Sequence, residues 1–214
     1  MTTWKQKRED LWEHAQVRYK GKLRIRPKSE AKAWWKFLAF LLKSLNWIAS
    51  LGKTTGTDLY DGFNTTMGQT IWLAGDGTKW ENTTEVYKFT TISHEIDHFD
   101  LFFFDDHKLQ EAETQPDKDP SWLSAAWHGL RYQLFASHRS YVESLGYERN
   151  MRVQMVLYEG SVPASFKQWV RKIFTGPAYF YMASPARFEQ LYADMLERTK
   201  IAYSNGKLEH LQAE

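Results

Sequence analysis

Cysteine is absent from the 214 residues, which removes disulfides, thiolate nucleophiles and thiolate metal ligands together. Strong metal donors must then come from His, Asp and Glu. Proline is sparse, at six residues, and no internal repeat or low-complexity tract interrupts the chain, which excludes solenoid, collagen-like and linker-rich architectures. Long hydrophobic runs are missing as well. The most apolar stretch, Trp34 to Leu51, is broken by Lys36, Lys43 and Asn46, and its longest uninterrupted run, Phe37 to Leu42, falls far short of the roughly 20 residues a transmembrane helix needs. No transmembrane segment is expected. Met1 to Asp10 is polar and charged rather than a basic-then-apolar leader, so a cytoplasmic protein is the expectation.

Aromatic residues are plentiful, at 16% with ten Trp, and bring large buried area per residue. With 43% hydrophobic content, the chain is long enough for one substantial core and short for two, which predicts a single domain over 1–214. It divides into a basic, helical N-terminal part (1–52), a sheet with a central helix (53–110) and C-terminal helices (119–206). The net charge of +2 hides a partition: twelve Lys or Arg against four acids in residues 1–43, then nine acids against Lys108 and Lys118 from Glu95 to Pro120. Lys20, Lys22, Arg24, Arg26 and Lys28 alternate with other residues, so an extended chain there presents one basic face. That face is either a charge-protected edge strand or a surface for phosphate or an acidic polypeptide. Trp34 to Leu51 reads as an amphipathic helix begun by Ser29 and ended near Gly52, with one face in the core. Seating on a membrane surface is the alternative.

Tyr60–Phe63 and Thr70–Ala74 flank a turn at Asn64–Gly68 and predict a hairpin, closed by Gly75-Asp76-Gly77. Asn82 followed by Glu85 predicts a capped helix over Thr83–Phe104. After Asp119-Pro120 a long helix is expected, with Leu123, Trp127, Leu130, Leu134, Tyr141 and Leu145 on its inner stripe. Shorter helices follow over Pro163–Phe174 and from Ser184-Pro185 to Asn205-Gly206, the latter with Phe188, Leu191, Tyr192, Met195 and Leu196 inside.

Within the central helix lies His94-Glu95-Ile96-Asp97-His98. Residues i and i+4 share one helical face, so both imidazoles can reach one zinc ion. Glu95 lies about 100° around the helix from His94, placed to take a proton from a water that zinc acidifies to a pKa of about 7. Phe89, Ile92, Ile96, Phe99 and Phe103 form the apolar stripe on the other side. A catalytic zinc wants a third protein ligand. The metzincin completion is excluded, because Leu101 and Phe104 stand where its Gly and His belong. Asp105 falls on the correct face but about 10 Å further along the axis, and His107 and Glu111 would need a tight reversal. Arg139, Glu143 and Tyr147 make an i, i+4, i+8 row on the downstream helix, whose ordinary reading is a surface ion pair.

With these residues the chain resembles the gluzincin-type zinc metallopeptidases, particularly their small single-domain members, over roughly Tyr60 to Leu157. The resemblance implies an α+β, mainly helical, zincin-like fold: a small antiparallel sheet or hairpin on the motif helix, followed by a helical C-terminal half. It implies His94 and His98 as paired ligands of one Zn²⁺ ion, Glu95 as catalytic base, and Glu143 or Glu148 as third ligand. It also implies that Thr70, Ile71, Trp72 and Leu73 form an edge strand aligning an extended polypeptide substrate. Oxyanion donors are sought among Tyr179, Tyr181, Tyr147 and His128. Asp97 is expected to pair with a neighbour, and Asp100 to accept from an imidazole N–H. The leading expectation is zinc-dependent peptide-bond hydrolysis. Its alternatives are a non-catalytic metal-stabilised interaction protein, closed by a fourth ligand such as His128 or an Asp, and a metalloprotease docked on nucleic acid through residues 4–43.

Overall fold

The computed structural model describes residues 2–49, 60–62, 64–105, 119–177 and 181–212. The chain is mainly helical with one small sheet, as expected. Helix α1 (Trp4–Arg18) opens on Thr3, whose hydroxyl accepts from the Gln6 N–H at 3.2 Å. Strand β1 (Arg24–Pro27) and a 3₁₀ turn (Lys28–Ala31) lead into α2 (Lys32–Ala49). The predicted Ser29 start is thus replaced by a 3₁₀ entry that begins after Pro27.

Strands β2 (Thr65–Met67) and β3 (Thr70–Leu73) pair antiparallel across a two-residue turn at Gly68-Gln69. The predicted hairpin therefore shifts: Thr65–Met67 are strand rather than turn, because Gly68, at φ 59°, supplies the left-handed residue that a tight reversal needs. Tyr60 lies in a turn, its carbonyl accepting from the Gly75 N–H at 2.8 Å, and Phe63 lies outside the described residues. Nor is the sheet purely antiparallel. β1 joins β3 in parallel and the order is β1-β3-β2, which makes Thr70–Leu73 the central strand instead of an edge. Lys20 and Lys22 precede β1, and Lys28 follows it fully buried, so the five basic residues form no single strand face.

The sheet separates two layers. Ile71 and Leu73 point inward onto the central helix, while Trp72 points outward and meets Trp35 of α2 at 5.6 Å between ring centroids. After the short α3 (Thr78–Glu81), helix α4 (Glu85–Phe104) carries the motif. Its N-cap is Thr84, accepting from the Tyr87 N–H at 3.3 Å. Asn82, the predicted cap, instead closes α3, its Nδ2 donating to the Thr78 carbonyl at 3.0 Å. The expected stripe of Phe89, Ile92, Ile96, Phe99 and Phe103 is buried throughout. Most of it packs with Ala15, Tyr19 and Leu23; the Tyr19 ring lies 5.3 to 6.0 Å from those of Phe99, Phe103 and Phe104.

The long downstream helix is two: α5 (Trp122–Leu134) and α6 (Ala136–Leu157), parted where Phe135 turns extended at φ -118°, ψ 113°. The expected inner stripe faces out. Leu123 is 85% exposed, and Trp127, Leu130, Leu134 and Tyr141 are exposed too. The side of α5 turned to the protein carries His128, Tyr132 and Ala125. Helices α7 (Ala164–Thr175) and α8 (Pro185–Ser204) agree with expectation within a residue and pack on α6 through Met151, Val170, Phe174, Phe188 and Met195. Ser184 caps α8, accepting from the Arg187 N–H at 3.2 Å.

Two ion pairs tie α1 to α4: Arg8 Nε donates to Glu85 Oε2 at 2.8 Å, and in the interior Arg18 Nη1 donates to Asp100 Oδ2 at 2.7 Å, with the Tyr19 hydroxyl on Oδ1 at 3.2 Å. Burial pushes the Asp100 carboxyl up to about 7 against the opposing pull of Arg18. Arg18→Ala is expected to cost about 3 kcal/mol at pH 8, since it strands a buried carboxylate. Asp100 in that variant binds its proton more tightly folded than unfolded, so the deficit shrinks as pH falls. Urea unfolding of both proteins at pH 8 and pH 5 measures this.

Candidate metal centre

The motif histidines leave α4 on the side opposite its apolar stripe and are buried against α6. There His94 Nε2 lies 3.5 Å from Glu143 Oε2, and His98 Nε2 lies 3.8 Å from Glu143 Oε1. One donor atom from each of the three fits within 4.8 Å of the others. Glu148, the alternative third ligand, is turned away: its carboxylate accepts from Arg152 and Arg198, both at 2.8 Å. Asp97 pairs with Arg149 at 3.0 Å, as expected of it. Asp100 does not serve an imidazole, being taken by Arg18 and Tyr19.

Gly146 makes this approach possible. A Cβ built there would stand 2.6 Å from the His94 ring, well inside contact distance. One residue on, Tyr147 meets the same ring edge-on at 4.9 Å. The Tyr132 hydroxyl donates to Glu143 Oε1, and Arg139 Nη1 donates to the Tyr132 carbonyl at 2.7 Å, steadying the segment from behind. Glu95 is buried beside the cluster and is not one of its three members. Its Oε2 accepts from the hydroxyl of Thr66 on β2.

Charge inside the cluster is finely divided. Burial works against a protonated His94, but Glu143, joined by Glu95 and Asp97, outweighs it and raises the His94 pKa. Burial and the neighbouring His94 charge lower that of His98. Burial alone would raise the Glu143 pKa, yet the two imidazoles and the Tyr132 hydroxyl bring it below the usual carboxylate value. Glu143 Oε2 and both imidazole Nδ1 atoms are buried with no hydrogen-bond partner. An unpartnered buried carboxylate oxygen beside the His94 Nε2 atom, with His98 Nε2 near the other oxygen, gives a set of donors suited to a divalent cation.

Behind His98 runs a column of rings. Phe102 stacks on His98 at 6.3 Å and on His128 at 5.9 Å, and His128 stacks on His138 at 5.4 Å. His128 Nε2 bonds Asp105 at 3.0 Å, and Nδ1 lies 3.4 Å from His138 Nε2. His128 is thus part of the wall and not a fourth donor. Of the tyrosines expected near the site, Tyr179 lies outside the described residues. Tyr181 is exposed, held by its N–H to the Gly176 carbonyl at 3.0 Å, and no described contact links it to the cluster. His107 and Glu111 also lie outside the described residues. Sequence reasoning missed Thr66 and Tyr132. For Tyr132 a signal existed, since it follows His128 by one helical turn on the face opposite the exposed leucines.

Two outcomes are expected. Gly146→Ala should displace His94, lower stability by about 2 kcal/mol and weaken zinc binding more than an alanine at exposed Ser137 does, as read by calorimetric titration. Separately, burial, Arg131 and His128 lower the His138 pKa to about 4. Neutral His138 therefore contributes stability that is complete above about pH 6.5 and is lost as pH falls toward 4. Between pH 7 and 4.5 the parent protein should therefore lose more unfolding free energy than His138→Gln does, as read by urea unfolding of both at the two pH values.

The chain matches no protein-family model, no curated protein and no solved structure. The geometry of His94, Glu95, His98 and Glu143 carries the functional reading by itself.

Proposed function

We propose that this chain is a zinc-dependent peptidase of the gluzincin kind, with His94, His98 and Glu143 as its ligands and Glu95 as its base. The observation that carries the reading is the convergence of two imidazole nitrogens and one carboxylate, buried and within 4.8 Å, with a second carboxylate alongside. Three donors from nitrogen and oxygen suit zinc with a position left open, the arrangement of catalytic rather than structural sites. The ion that His94, His98 and Glu143 would hold would supply Lewis-acid polarisation of a substrate carbonyl and a water acidic near neutral pH.

The chain's own residues do the rest. Glu95 accepts the proton of the attacking water and returns it to the leaving amine. Thr66 orients the Glu95 carboxylate through Oε2. Tyr132 occupies Glu143 Oε1 and so leaves Oε2 for the metal. The polypeptide is expected along β2, not along central β3. No third strand pairs with the outer edge of β2 among the described residues. In a two-residue hairpin the pair flanking the turn, here Met67 and Thr70, is the hydrogen-bonded one, so the amide groups of Thr66 face outward. A substrate strand added there lies beside Glu95.

The alternatives draw less support. Among the described residues no fourth His, Asp or Glu joins the cluster, as a closed structural site requires. For docking on nucleic acid the basic segment is already partly spent: Lys20 pairs with Asp119, Arg26 lies 3.4 Å from Glu30, and Lys28 is buried on Thr65.

Purified protein should carry one zinc per chain and cleave an unfolded protein such as casein. Glu95→Gln should keep the zinc and lose about 10²- to 10⁴-fold in kcat. Glu143→Gln should lose zinc, and Glu148→Gln should keep both zinc and activity. Protein that neither retains nor takes up stoichiometric zinc, or a fully active Glu95→Gln, overturns the proposal.

A further inference from the structure

Among the described residues, helix α2 packs on the fold through Trp35 and Ala39. Trp35 and Ala39 are buried with Tyr60, and Trp35 also meets Trp72 of the sheet. At 100° per residue, Trp34, Phe37 and Leu41 fall within about 60° of one another on the far side. Phe40 and Trp47 extend this outer arc, and all five side chains are 41 to 68% exposed. Soluble surfaces rarely gather so many large apolar groups without an occupant.

The charges say which occupant. α2 contains three lysines and no Asp or Glu. Lys32, Lys36 and Lys43 fall within about 40° of one another, along one border of the apolar arc and not inside it. Arg24 and Arg26 of β1 stand in register with Thr70 and Trp72, which places them on the same face of the sheet as α2. A helix with Trp, Phe and Leu on its outer arc and lysines at the margin is the pattern that lies in a bilayer interface, its lysine stems running up to the headgroups. Lysine is depleted at protein interfaces. A base-stacking platform interleaves its aromatics with cations, and aliphatic Leu41 offers no ring to stack on. No described helix is long and apolar enough to cross a membrane, so the contact is along the surface.

We propose that α2 docks the chain on an anionic lipid bilayer, with Trp34, Phe37, Phe40, Leu41 and Trp47 at the boundary of headgroups and acyl chains and Lys32, Lys36 and Lys43 on headgroup phosphates. The metal centre, on the opposite side of the sheet, takes no part in this contact. An apolar face and a basic margin together are the two signals that stable peripheral binding requires.

The test is flotation of the full chain with vesicles of phosphatidylcholine, alone or with about 30% phosphatidylglycerol, at about 0.1 M and 0.5 M salt. Binding should be at least about tenfold stronger to the anionic vesicles and should weaken in high salt. Trp34→Ser with Phe37→Ser, and separately Lys32→Glu with Lys36→Glu, should each reduce it by roughly tenfold or more. Circular dichroism and zinc content should stay unchanged. Absence of binding to anionic vesicles at the lower salt overturns the proposal, as does equal binding by the folded variants. So does loss, in those variants, of a solution dimer or of single-stranded DNA binding when vesicles are not bound.

Discussion

Glu143 brings a carboxylate into a place that water does not reach, and the neighbouring helices are arranged around the compensation of that charge. Leaving a carboxylate buried costs several kcal/mol unless cations and donors surround it. Here Tyr132 donates to Oε1, which also lies 3.8 Å from the His98 imidazole, and the His94 imidazole stands 3.5 Å from Oε2. Only one imidazole gains a proton readily: His94 is raised, and His98 is lowered partly because His94 stands beside it. Of the two imidazoles, it is His94 that Glu143 favours in the protonated form. A cation held by these donors, as proposed above, would need that imidazole neutral, so it would compete with the proton for one position.

The same requirement explains why α4 is buried nearly all round. Its apolar stripe faces β3 and α1, while its polar side is covered by α6, which can approach only because Gly146 offers no Cβ to the His94 ring. α5 covers the remaining side and must be polar inward, since Tyr132 and His128 line the centre and its wall. Its leucines and Trp127 are then left outside. An inward polar face and an outward apolar one invert the usual rule for a surface helix, and the inversion marks where the site lies.

That inversion also shows what the sequence could and could not convey. The two histidines and the apolar stripe of α4 were legible because both follow from one local period. Glu143 was legible as part of a row, although only packing separates it from Glu148, whose carboxylate is claimed by Arg198 from fifty residues away. The stripe of Leu123, Trp127, Leu130 and Leu134 was read as core because periodicity reports a face without saying what it faces. Thr66 carries no local signal of its role, since its hydroxyl meets Glu95 across 29 positions. Strand β3 was read as an edge because nothing near it announces β1, which arrives from residues 24–27 and pairs in parallel.

The hairpin joins these threads. Side chains alternate along a strand, so a slip of one residue in β2 would turn Thr66 toward α2 and bring Thr65 or Met67 toward Glu95. Thr65 already serves the other layer, accepting from buried Lys28 at 2.9 Å. Met67 has no donor to give. The register that puts the Thr66 hydroxyl on Glu95 is fixed by the reversal at Gly68-Gln69, and the left-handed conformation at Gly68 is inexpensive only for glycine. The Gln69 carbonyl accepts from the Arg24 N–H at 3.0 Å, which ties the turn to β1 as well. A turn at the surface thereby sets the orientation of a carboxylate in the buried centre, and the strand with no outer neighbour among the described residues is the one whose side chain touches that carboxylate.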